Sequence, residues 1–352
     1  MMTRCSRRLR AAAIVAAVGL WAEAGFAQGP TTSPASHASI AARQASELEL
    51  AELDKAASAA LRAKDYANAI ATAQRYFREG GSDTRLRVVL SDAYYANHDY
   101  PNAARELQLE VQAAERASRA PAEERLLLLQ RCYQHLNDNN AYAWSLEKLV
   151  TYYPKKAYWA DLLARTQRRP DFGARLGLDV DRLRLLTGVL ATASDYLDMA
   201  ERAQRAGLPA EARKTIELGF AKGVLGAGPD AARHRALRDD LARLAAEDER
   251  RIDRPETEAQ AVAAKDGIVM HQLGLDHVMH GHYAKGIALM EAALRKGGLD
   301  NRPQDAKLRL GIAYLLAGDK AKAMDIFRTV GGMHGAADLG RLYGIYARNA
   351  AL

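Results

Sequence analysis

Two consecutive segments near the C-terminus repeat one spacing of small, apolar and aromatic residues, and this repeat constrains the fold more than any other feature. The second copy lies between residues 306 and 330 and carries the pattern at five positions: Leu310, Gly311, Tyr314, Ala323 and Phe327. The first copy carries it at the corresponding positions: Leu273, Gly274, His277, Gly286 and Met290. Gly274 and Gly311 therefore lie 37 residues apart. A period of this length is typical of folds that stack one supersecondary unit after another.

The spacing within each copy predicts a pair of antiparallel helices. Two helices pack closely only where small residues occupy their crossing, as Gly311 and Ala323 would do in the second copy. Leu310, Tyr314 and Phe327 would then fill the space on either side of that crossing. Because one hairpin cannot bury its apolar faces alone, several hairpins must stack into a solenoid.

The order of these residues resembles the tetratricopeptide (TPR) repeat, whose period is about 34 residues. The resemblance covers most of residues 45–330 and is loosest between 156 and 265. It implies an all-α, right-handed superhelical solenoid of antiparallel helix pairs that ends in a capping helix. It also implies a non-catalytic scaffold that binds a protein or peptide partner in its inner groove. Some exported bacterial members of this family accompany envelope machinery, so the partner is expected in the cell envelope.

Weaker copies of the pattern precede the two clear ones. The turn segments Lys64–Ala69 and His98–Ala103 are similar to each other and start 34 residues apart. In the third copy Tyr142 stands where a small residue belongs, so this hairpin is predicted to splay or to shift its register. The patterns divide the chain into a signal peptide (1–27), a flexible linker (28–40), N-terminal TPR-like repeats (41–225), an irregular helical insert (226–265), two well-formed repeats (266–335) and a C-terminal capping helix (336–352).

The N-terminus has the features of a secretory signal peptide. Four arginines between Arg4 and Arg10 precede the apolar run 11–22, and the small residues Gly25 and Ala27 follow it. Cleavage is predicted after Ala27, which would place the mature chain in the periplasm without a transmembrane segment. A retained membrane anchor is the less favoured alternative, because the apolar run is shorter than the roughly 20 residues that a span needs.

Charge and cysteine content narrow the function further. Removing residues 1–27 takes away four arginines and Glu23, which lowers the formal net charge from +7 to +4. A charge of this size on an exported chain argues against a nucleic-acid partner. Cys132 is the only cysteine of the predicted mature chain, so it cannot form an intramolecular disulfide and is expected to be a buried thiol.

No sequence motif indicates catalysis, and no cofactor or metal is predicted. A nucleophile elbow, a zinc-protease motif, a phosphate-binding loop and a dinucleotide fingerprint are all missing. The alternative function is a periplasmic metal or small-ligand binder that uses the cluster from His271 to His282. His277 and His280 would share a helix face there and could hold zinc or copper with Asp276. Against this, His277 takes the place of a packing tyrosine.

The groove residues are inferred from the TPR resemblance, in which the first helix of each pair lines the inner surface. They form a polar N-terminal group and an apolar C-terminal group: Tyr95 and Arg131, then Leu275, Val278, Met279, Ile312, Leu315 and Leu316. An apolar groove of this kind must receive either a partner helix or the capping helix 336–348. The capping helix is favoured, since its apolar residues need burial.

Overall fold

The computed structural model describes residues 34–300 and 302–349. Within these residues the chain forms seventeen α-helices and one 3-10 segment (Ala174–Leu176), and it has no strand. The first ten helices are α1 (Pro34–Arg62), α2 (Tyr66–Arg78), α3 (Thr84–Ala96), α4 (Tyr100–Arg116), α5 (Glu123–His135), α6 (Asn139–Tyr152), α7 (Lys156–Arg168), α8 (Gly177–Leu186), α9 (Ala193–Arg205) and α10 (Pro209–Ala221). The other seven are α11 (Ala231–Ile252), α12 (Pro255–Ala263), α13 (Ile268–His280), α14 (Tyr283–Lys296), α15 (Pro303–Leu316), α16 (Lys320–Thr329) and α17 (Ala336–Asn349).

The helices pack in consecutive pairs, which confirms the all-α repeat architecture. The predicted signal peptide (1–27) lies outside the described residues. Helix α1 begins at Pro34, so residues 34–40 are helical and the linker predicted over 28–40 is wrong for this part. None of the described helices combines the length and the apolar character that a bilayer span requires.

Four of the hairpins share one turn, which the sequence repeats. The first residue of each turn has a positive φ, and the aspartate after it caps the second helix by accepting a hydrogen bond from the backbone N–H three residues on. The pairs are Lys64-Asp65, His98-Asp99, Asn137-Asp138 and Gly318-Asp319. Because these bonds are local, the same short pattern produces the same hairpin wherever it occurs.

Small residues occupy the helix crossings as predicted. Ala69, Ala103 and Ala323 are completely buried. In the third hairpin the exception, Tyr142, is half-buried and reaches toward α7. Its hydroxyl donates to the Asp161 carboxylate at 2.9 Å, and the hairpin thus places the larger side chain toward its neighbour.

The C-terminal part of the chain folds back onto its middle, which a simple open solenoid would not do. Helix α17 packs on α15 and α16 and also contacts α6 and α8. Tyr343 donates to the backbone carbonyl of Asp179 at 2.6 Å, and Arg341 forms two hydrogen bonds of 2.8 Å with Glu147. The ion pair between Arg309 and Asp179 adds a link from α15 to α8 at 3.1 Å. In an ordinary solenoid each repeat contacts only its neighbours. Here the links join α15 and α17, near the C-terminus, to α6 and α8 in the middle of the chain.

The N-terminus of α9 carries a capping box that should make stability depend on pH. Burial alone would raise the pKa of the Asp195 carboxyl, but hydrogen bonds from the Ala191 and Thr192 amides outweigh it and lower this pKa to about 2. The ionised carboxylate therefore stabilises the fold above about pH 4, and this stabilisation is lost as the pH falls toward 2.

Replacing Asp195 by alanine is expected to lower the free energy of unfolding by about 1 kcal/mol at neutral pH. The difference from wild type should shrink at about pH 2.5, where the carboxylate is partly protonated in the folded state. Urea unfolding followed by circular dichroism measures both values. Asp198→Ala, on the exposed face of the same helix, is the control. A difference that is the same at both pH values would contradict the assigned role.

Candidate partner-binding cleft

Most of the predicted C-terminal groove residues lie in the core. Leu275, Val278, Met279 and Ile312 are 1–5% exposed, so they cannot contact a partner in this conformation. Leu315 is half-buried and Leu316 is 37% exposed. The prediction of an open apolar groove at these positions is therefore wrong for four of its six residues.

The groove is covered by the middle of the chain and not by the capping helix. Helices α8 and α10 lie over α13 and α15, leaving a cavity of about 210 Å³ that Val278, Met279 and Ile312 share with Leu185 and Leu218. Lys214 on α10 donates to the Met279 carbonyl at 2.5 Å. The sequence predicted that a partner helix or the segment 336–348 would fill this groove. In the structure α8 and α10 fill it instead.

The capping helix nevertheless buries its apolar residues. Leu339, Leu342 and Tyr343 are at most 1% exposed, and the Tyr343 ring stacks on Phe327 with 5.3 Å between the ring centroids. The sequence correctly indicated that these residues need burial, and the surface that buries them lies on α15, α16, α6 and α8.

The predicted N-terminal groove residues stay accessible. Tyr95 is half-buried and meets Tyr100 and His135 edge-on, while Tyr100 and His135 stack with 4.1 Å between their centroids. Arg131 is exposed, and within the described residues it has neither a hydrogen bond nor an ion pair. That Tyr95 and Arg131 bind a partner stays a prediction.

A larger cleft, of about 940 Å³, lies between α6, α7 and α17. Its walls combine aromatic, apolar, amide and charged side chains: Trp144, Tyr152, Leu162, Ile345, Asn139, Asn140, Lys148, Arg165, Arg168, Arg169, Arg341, Arg348, Glu115, Glu147 and Asp338. Sequence reasoning missed this cleft because α17 reaches α6 only after the chain has folded back.

The cleft is positively charged. Six basic side chains and three carboxylates lie along its walls. Arg165 and Arg169 are also paired with Asp161 and Asp171 just outside the lining, so Arg168 and Arg348 are the cations that lack a carboxylate partner among the described residues. The carboxylates are already paired: Glu147 with Arg341, Asp338 with Arg169 and Arg341, and Glu115 with Lys148. They are therefore not free to bind a cation.

Two arginines in the cleft have N–H groups that form no hydrogen bond with any described residue. Arg168 is exposed and bonds only through Nε to the Ala164 carbonyl, so its two terminal nitrogens have no partner within the described residues. Arg348 is exposed and forms no hydrogen bond or ion pair with any described residue. A guanidinium with free nitrogens can bind a carboxylate through two parallel hydrogen bonds.

The aromatic and hydroxyl groups beside these arginines are held by contacts with neighbouring side chains and backbone. The half-buried Trp144 ring lies 5.2 Å from the Lys148 ammonium. Burial and the hydrogen bond to Glu115 raise the pKa of Tyr152 to about 12, so its hydroxyl stays protonated. The Thr151 and Thr166 hydroxyls donate to backbone carbonyls of their own helices.

Comparison with known families supports the repeat assignment. A family model of the tetratricopeptide repeat matches residues 271–331, which contain nearly all of α13 and all of α14, α15 and α16. No curated protein matches the chain. The matched segment coincides with the two copies in which the spacing of small and aromatic residues is clearest.

Proposed function

We propose that this chain, a tetratricopeptide repeat protein, is a non-catalytic periplasmic scaffold that binds an acidic segment of a partner protein. The observation that carries the proposal is the basic cleft between α6, α7 and α17, with Arg168 and Arg348 unpaired in its walls. Proteins of this repeat class serve as scaffolds for protein–protein interaction, and the cleft supplies a surface of suitable size and charge.

The lining selects the chemistry of the partner segment. The two guanidinium groups with free donors, Arg168 and Arg348, favour aspartate and glutamate side chains or a terminal carboxylate. Trp144 and Tyr152 offer flat apolar surface with a polar edge, which is the composition of binding hot spots. A volume of about 940 Å³ is large enough to admit several side chains of a peptide segment.

The periplasmic part of the proposal rests on the predicted signal peptide. If it is correct, the mature protein isolated from a bacterial envelope fraction begins at Gln28. Mass spectrometry of the N-terminal peptide tests this directly, and a chain that keeps residues 1–27 in the cytoplasm would contradict it.

Reversing the charge of Arg168 and Arg348 together is expected to weaken binding of an acidic peptide by about tenfold or more, because two charge-assisted contacts are replaced by repulsion. Fluorescence anisotropy with a labelled peptide rich in Asp, Glu and one aromatic residue measures this loss. A peptide of the same length with Asn and Gln should bind weakly to wild type.

Arg78→Glu combined with Arg235→Glu is the matched control, because it makes the same change of charge at exposed positions outside the cleft. Equal losses in both double variants would point to non-specific attraction and would overturn the cleft as the binding site. Wild-type affinity that is the same for the acidic and the neutral peptide would overturn the proposed partner chemistry.

A further inference from the structure

Two histidines and one aspartate meet where the insert reaches the two clear repeats. Asp253 follows the last residue of α11, His277 lies on α13, and His282 immediately precedes α14. One potential ligand atom from each residue lies within 4.8 Å of those of the other two. The Nδ1 atoms of His277 and His282 are 3.3 Å apart.

This separation between ring nitrogens is the one that a shared metal ion imposes. Zinc binds imidazole nitrogen at about 2.0–2.1 Å with tetrahedral angles, which places two bound nitrogens about 3.3–3.4 Å apart. As a hydrogen bond the contact would be long, since N–H donors in proteins usually lie about 2.7–3.2 Å from their acceptors.

His277 differs from the other buried histidines of this region. The His271 ring bonds the Ala306 carbonyl at 3.1 Å, and the His280 ring bonds the Asp248 carboxylate at 2.9 Å. His277 is completely buried, and its Nε2 has no partner within the described residues. The other ring nitrogen, Nδ1, makes no hydrogen bond with a described residue except its contact with His282 Nδ1, so it is the nitrogen available to an ion.

The surroundings suit a metal-bound His282. The Glu249 carboxylate lies 3.8 Å from His282 Nε2, on the opposite side of the ring from Nδ1. At this distance the negative charge of Glu249 favours a proton on Nε2, which leaves Nδ1 free to bind an ion. The nearby cation, Lys285, is paired with Glu258 at 3.0 Å, which offsets its repulsion of an ion.

This geometry changes the set of residues that the sequence suggested for a metal. His277 and His280 are three residues apart on α13, but His280 is turned toward Asp248 and Asp276 is bonded by Arg251 and Gln272. The turn before α14 and the end of α11 supply the other two ligands instead.

We propose that Asp253, His277 and His282 form a binding site for a divalent transition metal that accepts imidazole ligands, with Zn²⁺ as the representative ion. Two imidazoles and one carboxylate leave at least one coordination position open. The bound ion ties the end of α11 to the first of the two well-formed repeats.

Zinc titration of the full chain, stripped with a chelator and set in competition with a chromophoric chelator, tests the site. One Zn²⁺ per chain is expected, together with a rise in the midpoint of thermal unfolding. Asp253→Asn and His282→Ala should each weaken binding by about tenfold or more. These two positions are exposed and half-buried, so the variants are expected to fold, whereas His277→Ala would open the core.

Glu256→Gln and His98→Ala are the controls, since both residues are exposed and lie outside the site. His280→Gln should keep the affinity of wild type. The proposal is overturned if wild type binds no stoichiometric ion, or if Asp253→Asn and His282→Ala bind Zn²⁺ as wild type does. It is also overturned if His280→Gln alone abolishes binding.

Discussion

Replacing Arg182 by methionine is expected to lower the free energy of unfolding by about 3–5 kcal/mol, the cost of breaking a buried ion pair by removing one partner. Arg182 is 5% exposed and donates to both oxygens of Glu211, at 2.6 and 2.7 Å, and to Asp179 at 2.5 Å. Without it, Glu211 stays buried with no ion-pair partner among the described residues, while Asp179 keeps its ion pair with Arg309. Urea unfolding at neutral pH gives the difference.

The pKa of Asp179 indicates how strongly these arginines act. Burial alone would raise the pKa of this carboxyl, but the charges of Arg309 and Arg182 outweigh burial and lower it. The ionised carboxylate thus stabilises the fold above its unfolded pKa, and this contribution is lost as the pH falls through the lower, folded value.

A paired substitution distinguishes the lost charge from lost packing. Arg182→Met combined with Glu211→Gln should recover part of the loss, because the carboxylate left without a partner is then neutral. Arg235→Met, at an exposed position without an ion pair to any described residue, should change stability by no more than about 0.5 kcal/mol. If Arg182→Met cost no more than this control, the buried network would not stabilise the fold.

Replacing Gly286 by valine is expected to destabilise the chain by about 3 kcal/mol, the upper end for overpacking a core. A Cβ atom at this position would lie 2.5 Å from the Gly274 carbonyl oxygen and 2.9 Å from the Val278 amide nitrogen, both on the facing helix α13. Backbone atoms cannot rotate away as a side chain can, so α13 and α14 would have to separate.

Alanine at position 286 should destabilise the chain less than valine does. Its helix propensity is better than that of glycine, which offsets up to about 1 kcal/mol of the loss. Ala288→Val, on the exposed face of the same helix, measures the propensity cost of valine alone. Thermal and urea unfolding of the three variants should rank wild type above Ala288→Val, and Ala288→Val above Gly286→Val. Equal stability of the two valine variants would show that the crossing can open without cost.

The repeat motif and the structure give different answers to whether a side chain fits at position 286. The following repeat places Ala323 at the equivalent position, where its side chain is completely buried. The spacing therefore suggests that alanine is acceptable at either position. Only the structure shows that α13 and α14 approach so closely that even one methyl group meets backbone.

The sequence determined the hairpins of this protein by itself, since each depends on signals within about 34 residues. Asp65, Asp99 and Asp319 cap helices through bonds that span three residues, and small side chains at the crossings follow from the same local spacing. Local bonds and periodic burial can be read from one segment at a time, which is why the repeat architecture was predictable.

Tertiary structure alone decided which surfaces stayed open. The spacing identified Val278 and Ile312 as groove residues, but α8 and α10 cover them. The contacts that hold this arrangement join residues 65 and 130 positions apart. The basic cleft and the meeting of Asp253 with His277 and His282 arise in the same way. Such contacts depend on the shape and charge of surfaces that the chain brings together only when it folds back. They leave no periodic pattern in the sequence.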